Sequence, residues 1–408
     1  MSGAPWTTAG MSRLDDVMAG HVAAGDVPGL AWLVSRRGEV RTGVAGTMGV
    51  AGPDALVPGS SDPVALDAIF RISSTTKPIT AVAALMLVEE CKLRLDEPVD
   101  RLLPELAERR VLATPGGSLD DTVAARRPIT VHDLLTFRMG LGGDFTFSSP
   151  QPVMAAMGEL GLGTGAPAPA GPPEPDEWAR RLGTLPLEYQ PGERWMYHTG
   201  ADVLGVLVAR AADQPFETFL AERIFAPLGM TDTGFSVPAD RLDRLSWCYG
   251  IDFGTGARQV YDPPDGQWSR PPAFPGGGAG LVSTLGDLHA FAEMLSRGGT
   301  HRGQRVLSRP AVEAMVTNQL TPEQLATSSP DPSGAVGWGL GVGVQLRRTG
   351  VARSVGSYGW DGGLGITWTN DPAEDLTAIL LTNQAWTSPA LPPVSQDFLT
   401  CTYAAIDD

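Results

Sequence analysis

Strand-like segments lie at both ends of this 408-residue chain, and helix-like segments fill the stretch between them. Gly29-Leu30-Ala31-Trp32-Leu33-Val34-Ser35 reads as a buried strand, Arg37-Gly38 as a turn, and Glu39 to Gly46 as the returning hairpin partner. Near the other end, Gly337 to Leu346, Arg353 to Ser357, Gly365 to Thr369 and Leu376 to Thr382 read as successive strands. Helical patterning covers Ser12 to Gly25, the run after Ser74, the segment opening at Ile129, and residues 176–184, 199–212, 215–223, 284–297, 309–317 and 395–405. Strands that bracket a helical middle bury their apolar faces by closing into one sheet, so the pattern predicts an α/β chain of two lobes. Residues 1–80 and 270–408 are expected to form a discontinuous sheet lobe, and 81–269 a mainly helical lobe. Residues 113–127 read as a loop. Residues 160–177, crowded with glycine and proline, read as an irregular insertion at the surface near a cleft mouth. Ser74 lies near the first lobe boundary, where clefts form.

Charge and cysteine usage exclude several functions. A formal net charge of −16 repels nucleic acid and anionic lipid, so neither is an expected partner. No run approaches 18 uninterrupted apolar residues, and Met1-Ser2-Gly3-Ala4-Pro5-Trp6 has neither a basic nor an apolar leader region. Cys91, Cys248 and Cys401 are odd in number and lack metal spacing, which fits a reducing compartment and a cytoplasmic protein. The five histidines form no H-E-x-x-H or other ligand pair, so no metal and no cofactor is expected. Oligomeric state is not legible in these features.

The chain has two lysines, Lys77 and Lys92, and the first closes Ser74-Thr75-Thr76-Lys77. Residues i and i+3 share a helix face, so the Ser74 hydroxyl and the Lys77 amine can meet. A serine becomes a nucleophile when a base takes its proton, and an amine serves once its charge is suppressed. Burial and a helix N-terminus both lower a lysine pKa. Phe70-Arg71-Ile72-Ser73 reads as extended, so Ser74 stands where a strand or loop turns into a helix, and Pro78 is tolerated in that first turn. The competing reading makes Ser74 an N-cap and Lys77 a solvated residue. A lysine at that position opposes the helix dipole.

Two further segments carry chemistry. Gln190-Pro191-Gly192-Glu193-Arg194-Trp195-Met196-Tyr197-His198-Thr199 places Tyr197 just before a helix, where its hydroxyl can face a pocket; near a lysine a phenol is more acidic and can relay protons. A tyrosine that merely covers core is the alternative. His198, with no evident acid to orient it, reads as a neighbour rather than the catalyst. Tyr358-Gly359-Trp360-Asp361-Gly362-Gly363-Leu364 is a glycine-rich strand edge that can bring an N–H to a developing oxyanion, or else a turn needing φ > 0. No G-x-S-x-G and no Walker loop occurs.

In this order the segments resemble the serine β-lactamase and penicillin-binding-protein superfamily, and within it the class C-like branch that includes family VIII carboxylesterases. The resemblance runs from about Leu14 to about Asn383. Ser74-Thr75-Thr76-Lys77 matches the S-x-x-K, Tyr197-His198-Thr199 the tyrosine-led second motif, and Trp360-Asp361-Gly362 the place of Lys-Thr-Gly. Leu93 to Val99, Ile129 to Leu135 and Pro227 to Met230 also look familial. The resemblance implies a two-lobe serine β-lactamase-like fold, with an antiparallel sheet flanked by helices plus a mainly helical lobe. It implies an esterase acting on small-molecule esters through an acyl-enzyme on Ser74, with Lys77 and Tyr197 sharing the base role. Backbone N–H groups of Ser74 and Gly363 would form the oxyanion hole. Gly362, Trp360, Asp361, His198 and Thr199 would line or bind substrate. The chain departs from true class C β-lactamases at Thr199, where they carry Asn, and at Trp360, where they carry the lysine that binds a lactam carboxylate. A β-lactamase, a D-amino-acid amidase and an acyltransferase are the alternatives within the same acyl-enzyme chemistry.

Overall fold

The computed structural model describes residues 4–50, 61–144, 151–331 and 333–407; residues 1–3 of the stretch read above for a leader lie outside them. Its centre is a seven-stranded sheet. The strands are β1 (Gly29–Arg36), β2 (Glu39–Gly46), β3 (Val336–Trp338), β4 (Gly343–Gln345), β5 (Tyr358–Gly359), β6 (Ile366–Asp371) and β7 (Leu376–Thr382). Their order across the sheet is β3-β4-β5-β6-β7-β1-β2, and every pair is antiparallel. The first hairpin closes through Arg37 at φ 50° and Gly38 at φ 82°. Two positive φ values in a two-residue loop match the right-handed twist of the strands it joins. β1 then pairs across to β7, from Leu30 opposite Thr382 to Arg36 opposite Leu376.

Side-chain alternation divides the two faces of β1 and β7 between separate cores. Leu30, Trp32, Val34, Leu376, Ala378 and Leu380 point to the side covered by α1 (Thr8–Ala23) and the C-terminal helix Pro393–Ala404. Ala31, Leu33, Ile379 and Leu381 point to the larger core, which contains Leu288, Phe291 and Leu295 of the helix Leu285–Ser296. The edge strand β2 is largely exposed, with Val40 and Val44 facing solvent. Deep in the larger core lies α2 (Thr76–Glu89), buried over Thr76 to Leu87. A helix that is apolar all round belongs in a core, and the run Ala81-Val82-Ala83-Ala84-Leu85-Met86-Leu87 supplies good helix formers. α2 packs against α3 (Thr199–Ala212), which is also buried along most of its length.

Several elements differ from the sequence reading. The expected strand 337–346 breaks at Gly339 to Val342, where Gly339 N–H bonds Val342 O and Gly341 takes φ 86°. A Cβ on Gly339 would lie 2.0 Å from the Met315 carbonyl, so the chain must turn there on glycine. Residues 353–357 form no strand; pairing begins at Tyr358, after a turn in which Arg353 adopts φ 49°. Within 113–127, Thr122–Ala124 pairs with Arg110–Leu112. The helix expected over 215–223 is Phe216–Leu220 and runs on through a wider turn, Ala221–Phe225. Among the described residues no helix is long and apolar enough to cross a membrane.

One buried ion pair ties the strand that leads to Ser74, Ile69–Arg71, to the strand Arg258–Asp262. Arg71 donates from Nε to Asp262 Oδ2 at 2.8 Å and from Nη1 to the Ser246 carbonyl at 2.5 Å, with both charged side chains almost wholly buried. Removing one member of such a pair strands the other charge. Asp262→Ala is therefore expected to lower unfolding free energy by about 3–5 kcal/mol in urea denaturation. A change below about 1 kcal/mol would mean that water reaches Arg71.

Candidate active site

Ser74 is presented by a tight turn. The short strand Ile69–Arg71 ends, one 3₁₀ turn spans Ser73–Thr75, and α2 follows. Ser73 holds φ 41°, uncommon for a residue with a Cβ. Its hydroxyl accepts from Leu364 N–H at 3.4 Å, and Gly362 packs against the same turn: a Cβ there would lie 2.4 Å from Ile72 O. Backbone held in a sparsely populated region persists where its surroundings over-determine it. Here the β5–β6 connection clamps the turn that carries Ser74.

One helical turn on, the Lys77 side chain is only 1% exposed. Its Nζ lies 2.9 Å from Ser74 Oγ, 2.6 Å from Gly278 O and 3.0 Å from His198 Nδ1. It also sits 4.4 Å above the centre of the Tyr197 ring. Burial pushes the amine down from 10.5 to about 7, against the pull of the Asp202 carboxylate.

Tyr197 and His198 converge on this amine from consecutive positions. His198 has φ 82° and ψ −65°, and Thr199 N–H bonds Tyr197 O at 3.2 Å. That is a γ-turn, a rare and strained conformation, and it lets adjacent side chains reach one atom. Tyr197 is boxed by Trp195, Phe137 and Trp360, with ring centres 5.6, 5.9 and 5.7 Å away. Its hydroxyl is hydrogen-bonded to Ser74 and accepts from Trp360 Nε1 at 2.7 Å. Burial drives the phenol upward more strongly than these bonds pull it down. This reverses the sequence expectation of a more acidic tyrosine, because desolvation of the phenolate outweighs the hydrogen bonds from Ser74 and Trp360.

His198 also departs from expectation: an acid does orient it. Its Nε2 lies 3.1 Å from Asp202 Oδ2, one turn into α3. The second Asp202 oxygen accepts Gly278 N–H at 2.8 Å. The sequence reading missed Asp202 and the run Pro275-Gly276-Gly277-Gly278-Ala279-Gly280. Both signals were available, as the i, i+4 spacing of His198 and Asp202 and as three consecutive glycines after a proline. A Cβ on Gly277 would lie 2.4 Å from Ala201 O, so this loop reaches the lysine only as glycine.

Ser74, Tyr197, Trp360, Asp361 and Gly363 share the wall of one open cavity of about 1350 Å³. Gly363 gives its carbonyl to Trp386 N–H at 2.8 Å, and its own N–H has no partner among the described residues. Gly362 cannot donate to substrate, since its N–H is bonded to Ile366 O at 2.8 Å. Thr199 is buried, with its N–H used in the γ-turn, and does not border the cavity. Asp361 borders it, but Oδ1 is engaged by Trp368 N–H at 3.3 Å and faces Arg353 Nη2 at 3.5 Å. Ala166 and Pro167 of the 160–177 insertion also line the cavity, and Tyr261 Oη donates to Pro167 O. Among the described residues no group of three His, Cys, Asp or Glu side chains is placed to hold a metal ion.

The family model described as Beta-lactamase matches residues 14–391. The chain belongs to the beta-lactamase family. Protein Rv1367c of Mycobacterium tuberculosis is 40% identical over 328 residues, 78% of each chain. Esterase EstB of Burkholderia gladioli is 30% identical over 401 residues, 92% of this chain and 91% of that one. Among solved structures, EstCE1, described as a hydrolase with promiscuous acyltransferase activity, superposes with a TM-score of 0.78 at 23% identity, covering 97% of this chain and 98% of its own. The fold is beta-lactamase-like, and the relatives of this chain include an esterase.

The unfolded chain keeps its lysine proton up to 10.5, whereas the folded one releases it near 7. Between those values the unfolded state binds more protons, so this group's contribution to stability rises with pH. The parent's unfolding free energy minus that of Lys77→Met is thus expected to become more positive from pH 7 to 10 in urea denaturation. A flat or falling difference would indicate a lysine that stays charged in the fold.

Proposed function

We propose that the protein is a serine carboxylesterase that cleaves small-molecule esters through an acyl-enzyme on Ser74. The observation that carries this reading is the set of partners around the Lys77 amine. Gly278 O is a pure acceptor, and His198 Nδ1 accepts when its ring is protonated on the Asp202 side. A neutral amine has two N–H bonds and one lone pair. With both N–H bonds directed at these acceptors, the lone pair is left for Ser74 Oγ, 2.9 Å away.

Lys77 then removes the Ser74 proton as Oγ attacks the ester carbonyl. Tyr197 remains a protonated phenol. Because Trp360 Nε1–H occupies the acceptor side of its oxygen, the Tyr197 proton is aimed at Ser74 and the departing alkoxide. Tyr197 is therefore the acid that protonates the leaving group, and Lys77 the base. The N–H groups of Ser74 and Gly363 receive the oxyanion, and the Gly363 N–H, unpartnered among the described residues, supports this. Trp360 fixes Tyr197 and also walls the acyl or alcohol pocket. Water follows the alcohol into the site and releases the acid by the reverse path.

An acyltransferase is the second reading, favoured by the cavity of about 1350 Å³, which has room for an acceptor alcohol beside an acylated Ser74. EstCE1, with this fold, is described as having both activities. On p-nitrophenyl butyrate, Ser74→Ala is expected to lose at least about 10³-fold in kcat and Tyr197→Phe about 10²–10⁴-fold. Lys77→Arg should be inactive, because a guanidinium does not deprotonate. A phosphonate should add its mass to the parent but not to Ser74→Ala. Parental turnover by Ser74→Ala would end the proposal. Faster p-nitrophenol release on adding an alcohol, with ester product formed, would select acyl transfer over hydrolysis.

A further inference from the structure

We propose that His198 is a positioning residue that takes over from Lys77 the proton leaving Ser74, with Asp202 holding the imidazole ready to receive it. This presupposes Ser74 as nucleophile and Lys77 as its base, as proposed above. His198 does not border the cavity that holds Ser74, so it acts on the reaction only through the lysine.

The geometry is that of a relay. His198 Nδ1 lies 3.0 Å from Lys77 Nζ, and Nε2 lies 3.1 Å from Asp202 Oδ2. With the ring proton on Nε2 shared with Asp202, Nδ1 is bare and faces the amine. The strained turn at φ 82° keeps it there. One residue joins the two ends: Gly278 O accepts from Lys77, and Gly278 N–H donates to Asp202. A Cβ on Gly278 would lie 2.9 Å from Asp202 Oδ1 and 2.9 Å from both His198 Cε1 and Nε2. Behind the pair, His198 and Asp202 border a second cavity of about 60 Å³, roofed by Leu162 and Pro167. At about 30 Å³ each, that space has room for about two waters beside the imidazole.

Protons balance along this path. Ser74 gives its proton to the Lys77 amine, and the ammonium so formed passes one proton to His198 Nδ1. Lys77 is neutral again, and the imidazolium keeps Nε2–H on Asp202. The positive charge then rests on a ring paired with a carboxylate, not on a buried ammonium. After Tyr197 has protonated the leaving alkoxide, the entering water gives a proton to the phenolate as it attacks the acyl group, and the stored proton returns through Lys77 to the departing Ser74 Oγ. The titratable groups facing His198 are Lys77 from α2, Asp202 from α3 and the adjacent Tyr197; the 276–280 loop offers backbone, and the insertion offers apolar side chains and glycine.

The test is the pH dependence of kcat and kcat/KM on p-nitrophenyl butyrate for the parent, His198→Asn and Asp202→Asn. Asparagine tolerates the left-handed backbone at 198. In His198→Asn the Asp202 carboxylate faces the lysine with no imidazole between them, which favours the ammonium. The acid limb is expected to move up by about one pH unit, a roughly tenfold loss at pH 7. The rate should recover to within about threefold at pH 9, with KM unchanged within about twofold. Asp202→Asn removes the negative charge, and its acid limb should move down. A purely structural role would lower rates at every pH and leave both limbs in place; that outcome, or limbs moving in the same direction, overturns the relay. Ser74→Ala measured alongside separates the two proposals. If it is inactive while the limbs stay fixed, the relay alone fails; if it keeps parental turnover, both fail. Should His198→Asn not fold, the direction of the Asp202→Asn limb decides.

Discussion

A lysine amine sealed inside a protein must either find acceptors or lose its charge, and at Lys77 it does both. α2 is otherwise the most apolar stretch near the site, buried from Thr76 to Leu87. Placing the amine there lowers its proton affinity by desolvation. Three separate segments then have to supply polar atoms to it: the Ser74 turn, the γ-turn at His198 and the glycine loop at Gly278. Each of these segments carries either backbone strain or a glycine that no other residue can replace without collision. Strain at such places persists only because the surrounding core fixes it. The sheet, through Gly362 and Leu364, and α3, through Asp202, provide that fixation.

Much of this was legible in the sequence because periodicity and punctuation are local signals. Leu376 to Thr382 was read with its observed bounds, and the Arg37-Gly38 turn follows from glycine's freedom at positive φ. Ser74 and Lys77 were legible because i, i+3 spacing on a helix fixes their proximity whatever the rest of the chain does. The beta-lactamase-like fold followed from three motifs in order. What failed depended on distant contacts. Gly339 breaks a strand because the Met315 carbonyl occupies the space a side chain would need, and no local pattern reports that. Gly362 and Gly363 look alike in sequence, yet only Gly363 keeps its N–H unengaged, since Gly362 is spent on the Ile366 carbonyl.

Tyr197 shows a different kind of failure, one of sign. Proximity to a lysine argues for an acidic phenol, and burial argues against it. With Trp195, Phe137 and Trp360 around the ring, burial wins. In the proposed mechanism the two groups that a sequence reading could only name together thus separate into a base and an acid. The sequence reads His198 as a neighbour for want of a carboxylate, although Asp202 stands one helical turn further on. The i, i+4 spacing was the available signal, whereas the γ-turn that sets the ring of His198 is not announced by local pattern.

The insertion at 160–177 borders both cavities: Ala166 and Pro167 wall the large one and also roof the small one behind His198. Its hold on the strand Arg258–Asp262, through Tyr261 and Pro167, makes it a shared partition rather than a free flap. Lengthening or shortening it during divergence would reshape the substrate space and the solvation of the lysine's neighbours in a single step. In this architecture selectivity and reactivity are inherited together, and a lineage that changes one through this segment must re-tune the other.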